Sequence, residues 1–192
     1  MDRDGTFSEF ELDQFGIKVA GEEQFTRADA VGSCEETLNT KVVTKKSRGV
    51  VVKKRVRPDG TGSLKLSMHM PYEIFASIYG LQTEGLIDGV KAYGTSGRHP
   101  TMAITVRILD EDDVIKYKAY PNCILESGIS RKVENGGEEV AEIELEVSLM
   151  PDEYGNCMYE ALATELPEDG ELTLNTWMTN WSSEAMHTVK IV

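Results

Sequence analysis

A strict two-residue alternation in two segments limits what this chain can fold into. In the first, Leu64, Leu66, Met68 and Met70 alternate with polar residues. In the second, apolar residues at 143, 145, 147 and 149 alternate with glutamates and a serine. Successive side chains of a β-strand point to opposite faces, so each segment predicts a strand with one face in a core. The other face of the second strand carries a row of carboxylates: Glu142, Glu144 and Glu146.

Further strands are predicted in pairs around turn signals. A valine-rich run precedes Pro58-Asp59-Gly60, which predicts a long hairpin of roughly 42–57 with 62–70. Strands over 101–109 and 114–120 flank the acidic turn 110–113. Strands over 123–133 and 140–149 flank Asn135-Gly136-Gly137, whose residue types accept positive φ.

One helix is predicted, because Ile74, Phe75, Ile78 and Tyr79 recur at helical spacing between Pro71 and Gly80. The predicted divisions are an N-terminal arm or short edge strand over 1–40, a β domain over 41–166 with hairpin 42–70 and helix 71–79, and a C-terminal strand and tail over 167–192. Within these, 159–166 is compatible with helix or strand, and 172–177 with strand. The predicted fold class is mostly β, a sandwich or partly open barrel built from hairpins with one flanking α-helix.

Charge is distributed very unevenly along the chain. The net charge is −13, which repels nucleic acid and anionic membranes from the chain as a whole. Yet the segment 41–57 contains eight basic residues and no acid, whereas 134–153 contains eight acids and no base. The basic residues are Lys41, Lys45, Lys46, Arg48, Lys53, Lys54, Arg55 and Arg57.

No metal, cofactor or disulfide framework is expected. Cys34, Cys123 and Cys157 are widely spaced without a CxxC pair, as is usual for reduced cytosolic thiols. Residues 2–11 match the back half of an EF-hand loop, but its first ligand would precede Met1 and no helix would enter it. The three histidines show no ligand spacing, and His69 is expected to point outward from its strand.

Catalysis, secretion and membrane insertion are not expected either. The chain contains no GxSxG, Walker-type phosphate loop or GxGxxG motif. The adjacent carboxylates of 110–113 are accounted for by a tight turn between strands. The first residues lack an apolar signal segment, and no run approaches the roughly 18 apolar residues of a membrane helix.

The basic segment 41–57 allows three interpretations. It is a solvated edge strand on which lysine blocks unwanted pairing, or a nucleic-acid-binding module, although no aromatic residues are interleaved for base stacking. In the third interpretation it lies against the acidic surface of another copy. Charge would then set register and partner choice, while Gly49 to Val52 supply apolar contact.

An ordered series of short sequences resembles a known family. The series runs from Thr44-Lys-Lys-Ser-Arg-Gly49 and Gly60-Thr-Gly-Ser-Leu-Lys-Leu66 to His69-Met-Pro-Tyr72 and Gly89-Val-Lys-Ala-Tyr-Gly94. It continues with Lys118-Ala-Tyr-Pro-Asn-Cys123, residues 134–144 and Met150-Pro-Asp-Glu-Tyr-Gly155. Together they are similar, over roughly 35–180, to the major tail (tail tube) proteins of tailed phages and prophages of Gram-positive hosts.

The resemblance implies a structural protein of the virion tail, assembled in the host cytoplasm. Six copies would form a ring and the rings would stack into a tube through which DNA passes during ejection. Its partners would be other copies, the tape measure, the baseplate and the terminator. A ring-forming baseplate or tail-terminator protein is the alternative.

The resemblance also assigns roles to two groups of residues. The long hairpin would be a stacking arm that reaches a neighbouring ring, and Glu142, Glu144 and Glu146 would face an anionic lumen. That row could instead receive the lysines of a neighbouring copy. The expected arm residues are Lys45, Lys46, Arg48, Lys53, Lys54, Arg55 and Arg57.

Overall fold

The computed structural model describes residues 7–28, 31–131, 135, 142–166 and 174–187, which form one eight-stranded antiparallel sheet. The strand order is β2-β1-β5-β6-β7-β4-β3, with β8 also paired to β6. The mostly β prediction is therefore confirmed. The elements are β1 (Glu11–Val19), β2 (Thr26–Ala28), β3 (Val31–Ser47), β4 (Val50–Met68), α1 (Tyr72–Ile78), β5 (Thr101–Leu109), β6 (Ile115–Leu125), β7 (Ile143–Met150), β8 (Tyr159–Leu162) and α2 (Leu174–Trp177).

The hairpin of β5 and β6 forms where the sequence predicts it. Asp110 organises the turn, because its Oδ1 accepts the backbone N–H groups of Asp112 at 3.0 Å and Val114 at 2.7 Å. Strand β6 continues past the predicted end at 120, through Pro121, to Leu125. The ladder with β5 is irregular at that point, so the missing proline N–H is tolerated.

The predicted strand 123–133 is wrong, because 123–125 belong to β6 and no strand occurs over 126–131. Its partner is confirmed in β7, whose Val147 to Met150 pair with Leu125 to Asn122. Of the predicted turn Asn135-Gly136-Gly137, the two glycines lie outside the described residues.

The first hydrophobic core lies between the curved sheet and α1. Helix α1 buries Ile74, Phe75 and Ile78, which confirms the predicted helix within one residue at each end. Pro71 precedes its first residue in extended conformation, and Gly80 follows it with φ +58°, a left-handed value that glycine accepts. The described sheet contributes sixteen buried side chains from β1, β4, β5, β6 and β7 plus Ala28 of β2.

Strand β1 corrects the predicted N-terminal arm. Phe15 and Ile17 are 0% and 2% exposed, and β1 pairs with β5 along nearly its whole length. Gly16 lies between them, where a Cβ would be 2.6 Å from Thr105 Oγ1 on β5. The glycine thus allows a close approach in a buried strand rather than marking a pliable end.

A second core covers the opposite face of β5 and β6, which corrects the predicted C-terminal strand. Residues 174–177 form the short helix α2, and Trp177 and Trp181 are each 2% exposed against Tyr117 and Ala119 of β6. Trp177 donates its Nε1–H to the Lys118 carbonyl at 3.3 Å. Both faces of β5 and β6 are therefore buried.

Within the described residues, no helix has the length and apolarity needed to span a bilayer.

Lys118 links the N-terminal segment to the sheet through ion pairs. The residue is only 8% exposed. Its Nζ lies 2.8 Å from Glu9 Oε1 and 3.9 Å from Glu36 Oε2. Burial opposes the charge of Lys118, but the hydrogen bond to Glu9 and the charges of Glu36 and Glu9 raise its pKa above the ordinary value. Burial likewise opposes ionisation of Glu9, but the hydrogen bond and charge of Lys118 prevail and lower its pKa.

Replacing Trp177 with alanine tests the second core. We expect the free energy of unfolding to fall by about 3–5 kcal/mol, because a large buried aromatic side chain is lost. Urea denaturation followed by circular dichroism measures it. Phe10→Ala removes an aromatic side chain that is 75% exposed and should stay within about 0.5 kcal/mol of wild type. A Trp177→Ala loss no larger than that of Phe10→Ala would contradict the packing.

Glu9 should make stability depend on acid pH. A carboxyl with a lowered folded pKa stabilises the fold above the ordinary glutamate pKa, about 4.3, and this stabilisation is lost as pH falls through the folded value. Between about pH 6 and about pH 3.5, wild type should therefore lose more unfolding free energy than Glu9→Gln. Glu84→Gln, a change at an exposed loop residue, should follow wild type. Equal losses in Glu9→Gln and wild type would refute the expectation.

Candidate assembly interface

The hairpin of β3 and β4 projects beyond the body of the sheet. Strand β7 pairs with β4 only over 62–68, so the outer half of β4 has β3 as its one neighbour in the described sheet. Every residue from 37 to 59 is exposed. We call residues 39–59 the arm. At about 3.3 Å per residue, β3 extends roughly 30 Å from the last pair of the body, Leu38 with Gly62, to its end at Ser47.

The position of the turn corrects the predicted hairpin. Segments 42–47 and 50–56 pair with each other, and the turn is Arg48-Gly49 instead of Pro58-Asp59-Gly60. Both turn residues have positive φ, +49° and +83°, as two-residue hairpin turns of type I′ require. Pro58 lies within β4 next to an irregularity in the ladder, on an outer half whose second edge is not paired to β7.

All seven predicted arm residues are exposed on this hairpin. They do not form one surface, however, because residues directly opposite each other share a face and faces alternate along a strand. Lys41 pairs with Arg57, Val43 with Arg55 and Lys45 with Lys53. This face, which we call the cationic face, therefore carries Lys41, Lys45, Lys53, Arg55 and Arg57 together with the exposed Val43.

The opposite face is mainly apolar. Val42 pairs with Val56 and Thr44 with Lys54, and alternation adds Val52. The three valines are 50%, 56% and 57% exposed in chain order. We call Val42, Thr44, Val52, Lys54 and Val56 the valine face. Lys54 therefore lies on the opposite face from Lys45, Lys53, Arg55 and Arg57. Lys46 lies at the irregularity of the β3–β4 ladder next to the turn, and Arg48 lies in the turn itself.

The carboxylate stripe, Glu142, Glu144 and Glu146, is exposed on the outer side of the body. Glu144 lies opposite Ser67 and Glu146 opposite Lys65 of β4. Glu142 accepts a hydrogen bond from the Ser67 hydroxyl. The core side of the same strand holds Leu145, Val147 and Leu149, each 1–2% exposed, as the alternation predicts.

The outer side of the body continues from the stripe onto β3. Lys65 also faces Glu35 of β3, so it lies between two carboxylates across the sheet. The outer side is therefore anionic at the body and cationic on the arm. This arrangement gives one chain both halves of a complementary charge pair, on separate regions of its surface.

The three histidines have separate surroundings in the described structure. His69 is exposed, as predicted, and His99 lies between Tyr93 and the Leu125 carbonyl. His187 lies 3.0 Å from the Tyr159 hydroxyl, which donates to Asp152 at 2.6 Å. No group of three His, Cys, Asp or Glu suited to a metal occurs in the described part of the chain.

The cysteines are free thiols among the described residues. Burial raises the pKa of Cys34 to about 12 and that of Cys123 further, so both thiols are held protonated. Of the EF-hand-like sequence 2–11, residues 2–6 lie outside the described residues, and Glu11 begins β1.

Sequence comparisons match no family model and no curated protein. The solved structures that are similar to this chain include two parts of one phage-derived particle. One is the tube terminating cap of the anti-feeding prophage, with 10% identity, a TM-score of 0.47, and coverage of 85% of this chain and 97% of that chain. The other is the baseplate of the same prophage, with 10% identity, a TM-score of 0.43, and coverage of 84% and 97%.

The same charge reversal at two positions on the outer side of the sheet should change stability in opposite directions. Lys53→Glu removes a like-charged pair with Lys45, so the unfolding free energy should rise by about 0.2–1 kcal/mol. Lys65→Glu places a carboxylate between Glu35 and Glu146, so it should fall by a similar amount. Urea denaturation of dilute protein at low salt measures both, and added salt should reduce both effects. A shift of the same sign in the two variants would contradict the register.

Proposed function

We propose that this chain is a structural subunit of a phage-tail-like particle, which assembles with other copies of itself through the arm. The observation that carries the proposal is the arm itself, a hairpin exposed on both faces over residues 37–59. The proposal includes no catalytic step and no cofactor. The protein would reside in the tail of the particle after assembly in the host cytoplasm.

The arm is a two-stranded hairpin that extends into water on both faces. Such hairpins are only marginally stable in water unless a further layer or strand covers them. Burying a valine side chain contributes about 1.5–3 kcal/mol, so the valine face gains much from a partner. The cationic face carries the directly opposed pairs Lys41–Arg57 and Lys45–Lys53, whose mutual repulsion nearby anions would relieve.

A second copy meets both requirements. The carboxylate stripe supplies anions, and exposed apolar side chains elsewhere on the chain supply cover for valine. Exposed ion pairs each contribute only about 0–1 kcal/mol. Apolar burial would therefore provide most of the affinity, and charge would select the partner and its register.

The class of particle is suggested by sequence. The ordered fragments between 35 and 180 resemble tail tube proteins, and a mostly β fold flanked by helix α1 accords with that resemblance. The two structural neighbours are a tube terminating cap and a baseplate, which accords in kind with the terminator or baseplate alternative more closely than with the tube.

Two finer assignments remain within this class. In one, six copies form a ring and the rings stack into a tube that conducts DNA, with the carboxylate stripe facing the lumen and repelling phosphate at short range. In the other, the chain forms a terminator or baseplate ring, to which no further ring of the same chain is added. Negative-stain microscopy of the purified protein distinguishes hollow filaments from single rings.

Reversing the charge of the arm should block assembly without unfolding the chain. In Lys53→Glu/Lys54→Glu/Arg55→Glu, all changed residues are exposed, so the thermal midpoint should remain close to wild type. The yield of rings or filaments, counted by microscopy and sedimentation, should fall at least tenfold. Normal yield with an intact fold would count against the arm as the assembly element.

The matched variant Glu142→Lys/Glu144→Lys/Glu146→Lys separates the two roles of the stripe. If the stripe faces a lumen, particles should still assemble but release DNA poorly. If it receives the arm of another copy, assembly itself should fail. Particle yield and DNA ejection are measured on the same preparation.

A nucleic-acid-binding module is the second candidate, because eight exposed cations lie within one hairpin. The net charge of −13 and the lack of aromatic residues in 41–57 oppose it. Filter binding with single- and double-stranded DNA at low salt discriminates. Tight binding that the arm reversal removes would favour this module over self-assembly.

A further inference from the structure

A second exposed apolar surface lies on an ordered loop between α1 and β5. Gln82 and Ala92 close the loop by exchanging two backbone hydrogen bonds of 2.9 Å each. Two successive turns lie inside it. Leu86 donates its backbone N–H to the Thr83 carbonyl at 3.2 Å, and Val90 donates its backbone N–H to the Ile87 carbonyl at 3.0 Å. We call residues 82–92 the closed loop.

The closed loop is also fixed to α1. Lys91 Nζ lies 2.8 Å from Glu73 Oε2 and 4.9 Å from the centre of the Tyr72 ring. These contacts hold the base of the loop against the helix. The exposed apolar side chains at its tip are therefore presented by a fixed backbone.

The tip presents Ile87 at 82%, Val90 at 48% and Leu86 at 41% exposure. Glu84 and Asp88 lie on the same tip and are exposed. Contiguous exposed apolar residues rimmed by charge are characteristic of interaction sites. The tip thus combines an apolar centre with negative charge.

The valine face has the complementary character. On β4, alternation places Val52, Lys54 and Val56 in the same even-numbered series as the buried Leu64 and Leu66. The apolar row that faces the core therefore continues along the arm. The valines remain at least 50% exposed, so the closed loop of the same chain does not cover them.

We propose that the tip of the closed loop of one copy packs on the valine face of a second copy. Leu86, Ile87 and Val90 cover Val42, Val52 and Val56, and Glu84 and Asp88 lie near Lys54. This inference rests on the proposed self-assembly and specifies the contact that mediates it. The carboxylate stripe cannot take this place, because its exposed side chains are glutamates; it matches the cationic face instead.

Mixed cysteine crosslinking tests the contact between copies. Ile87→Cys chains are mixed with Val52→Cys chains under assembly conditions, oxidised, and analysed on non-reducing gels. A disulfide needs Cβ atoms about 3.5–4.5 Å apart, so the crosslink reports direct contact. Val43→Cys is the matched control, since Val43 is 51% exposed and pairs with Arg55 on the cationic face. Each variant alone and wild type measure crosslinking by the native cysteines.

We expect the Ile87–Val52 heterodimer to exceed the Ile87–Val43 heterodimer several-fold. Equal yields, a preference for Val43, or no crosslink from an assembling mixture would overturn the loop contact while leaving self-assembly intact. If wild type sediments as a monomer at every concentration, both the contact and the proposed function fall.

A second variant makes the test independent of disulfide geometry. Ile87→Lys brings a cation towards Lys54 and should reduce particle yield at least tenfold, with an unchanged thermal midpoint because Ile87 is 82% exposed. Thr95→Lys, also exposed but outside the closed loop, should keep the wild-type yield. An Ile87→Lys yield equal to that of Thr95→Lys would refute the contact.

Discussion

The antiparallel pairing of β3 with β4 is the constraint on which the rest of the structure depends. One strand, β4, belongs to two environments. Its inner half lies between β3 and β7 and places Leu64, Leu66 and Met68 in the core, whereas its outer half has β3 as its one partner in the described sheet. The body therefore fixes the direction and register of the arm, although the arm adds no buried residue to either core.

The body is well suited to hold such a projection. The central strands β5 and β6 are covered by α1 and the curved sheet on one side and by the tryptophan cluster on the other. Lys118 joins the N-terminal segment to β3 through Glu9 and Glu36. Segments near both ends of the described chain thus pack on the sheet. Among the described residues, the arm and the closed loop are then the principal exposed apolar features.

Local periodicity was enough to predict several elements. Strand β7 follows from alternation, α1 from helical spacing between Pro71 and Gly80, and the β5–β6 hairpin from the acidic turn. The sequence prediction failed where distant packing decides the outcome. Gly16 looks flexible in sequence, but Thr105 makes it a close contact, and residues 174–177 form a helix under a tryptophan cluster that no local pattern encodes.

Only part of the candidate site could be predicted from the sequence. Its cations could be located because they occur without acids in 41–57. The turn is predicted at the wrong place because the residue types of Pro58-Asp59-Gly60 are a stronger sequence signal for a turn than Arg48-Gly49. The positive φ values of Arg48 and Gly49 are evident only from the backbone structure. The register of strand pairing decides which side chains share a face. The two faces of the arm could therefore be assigned only after the pairing of β3 with β4 was known.

The paired cations across the arm also bear on how free subunits avoid precipitation. Val50-Val51-Val52 is a short β-prone run, but Arg48 on one side and Lys53-Lys54-Arg55 on the other enclose it with positive charge. Such flanking residues act as gatekeepers against disordered aggregation, since two arms that meet through their cationic faces repel each other. The same side chains would let a newly synthesised pool remain dispersed until a surface of opposite sign is available.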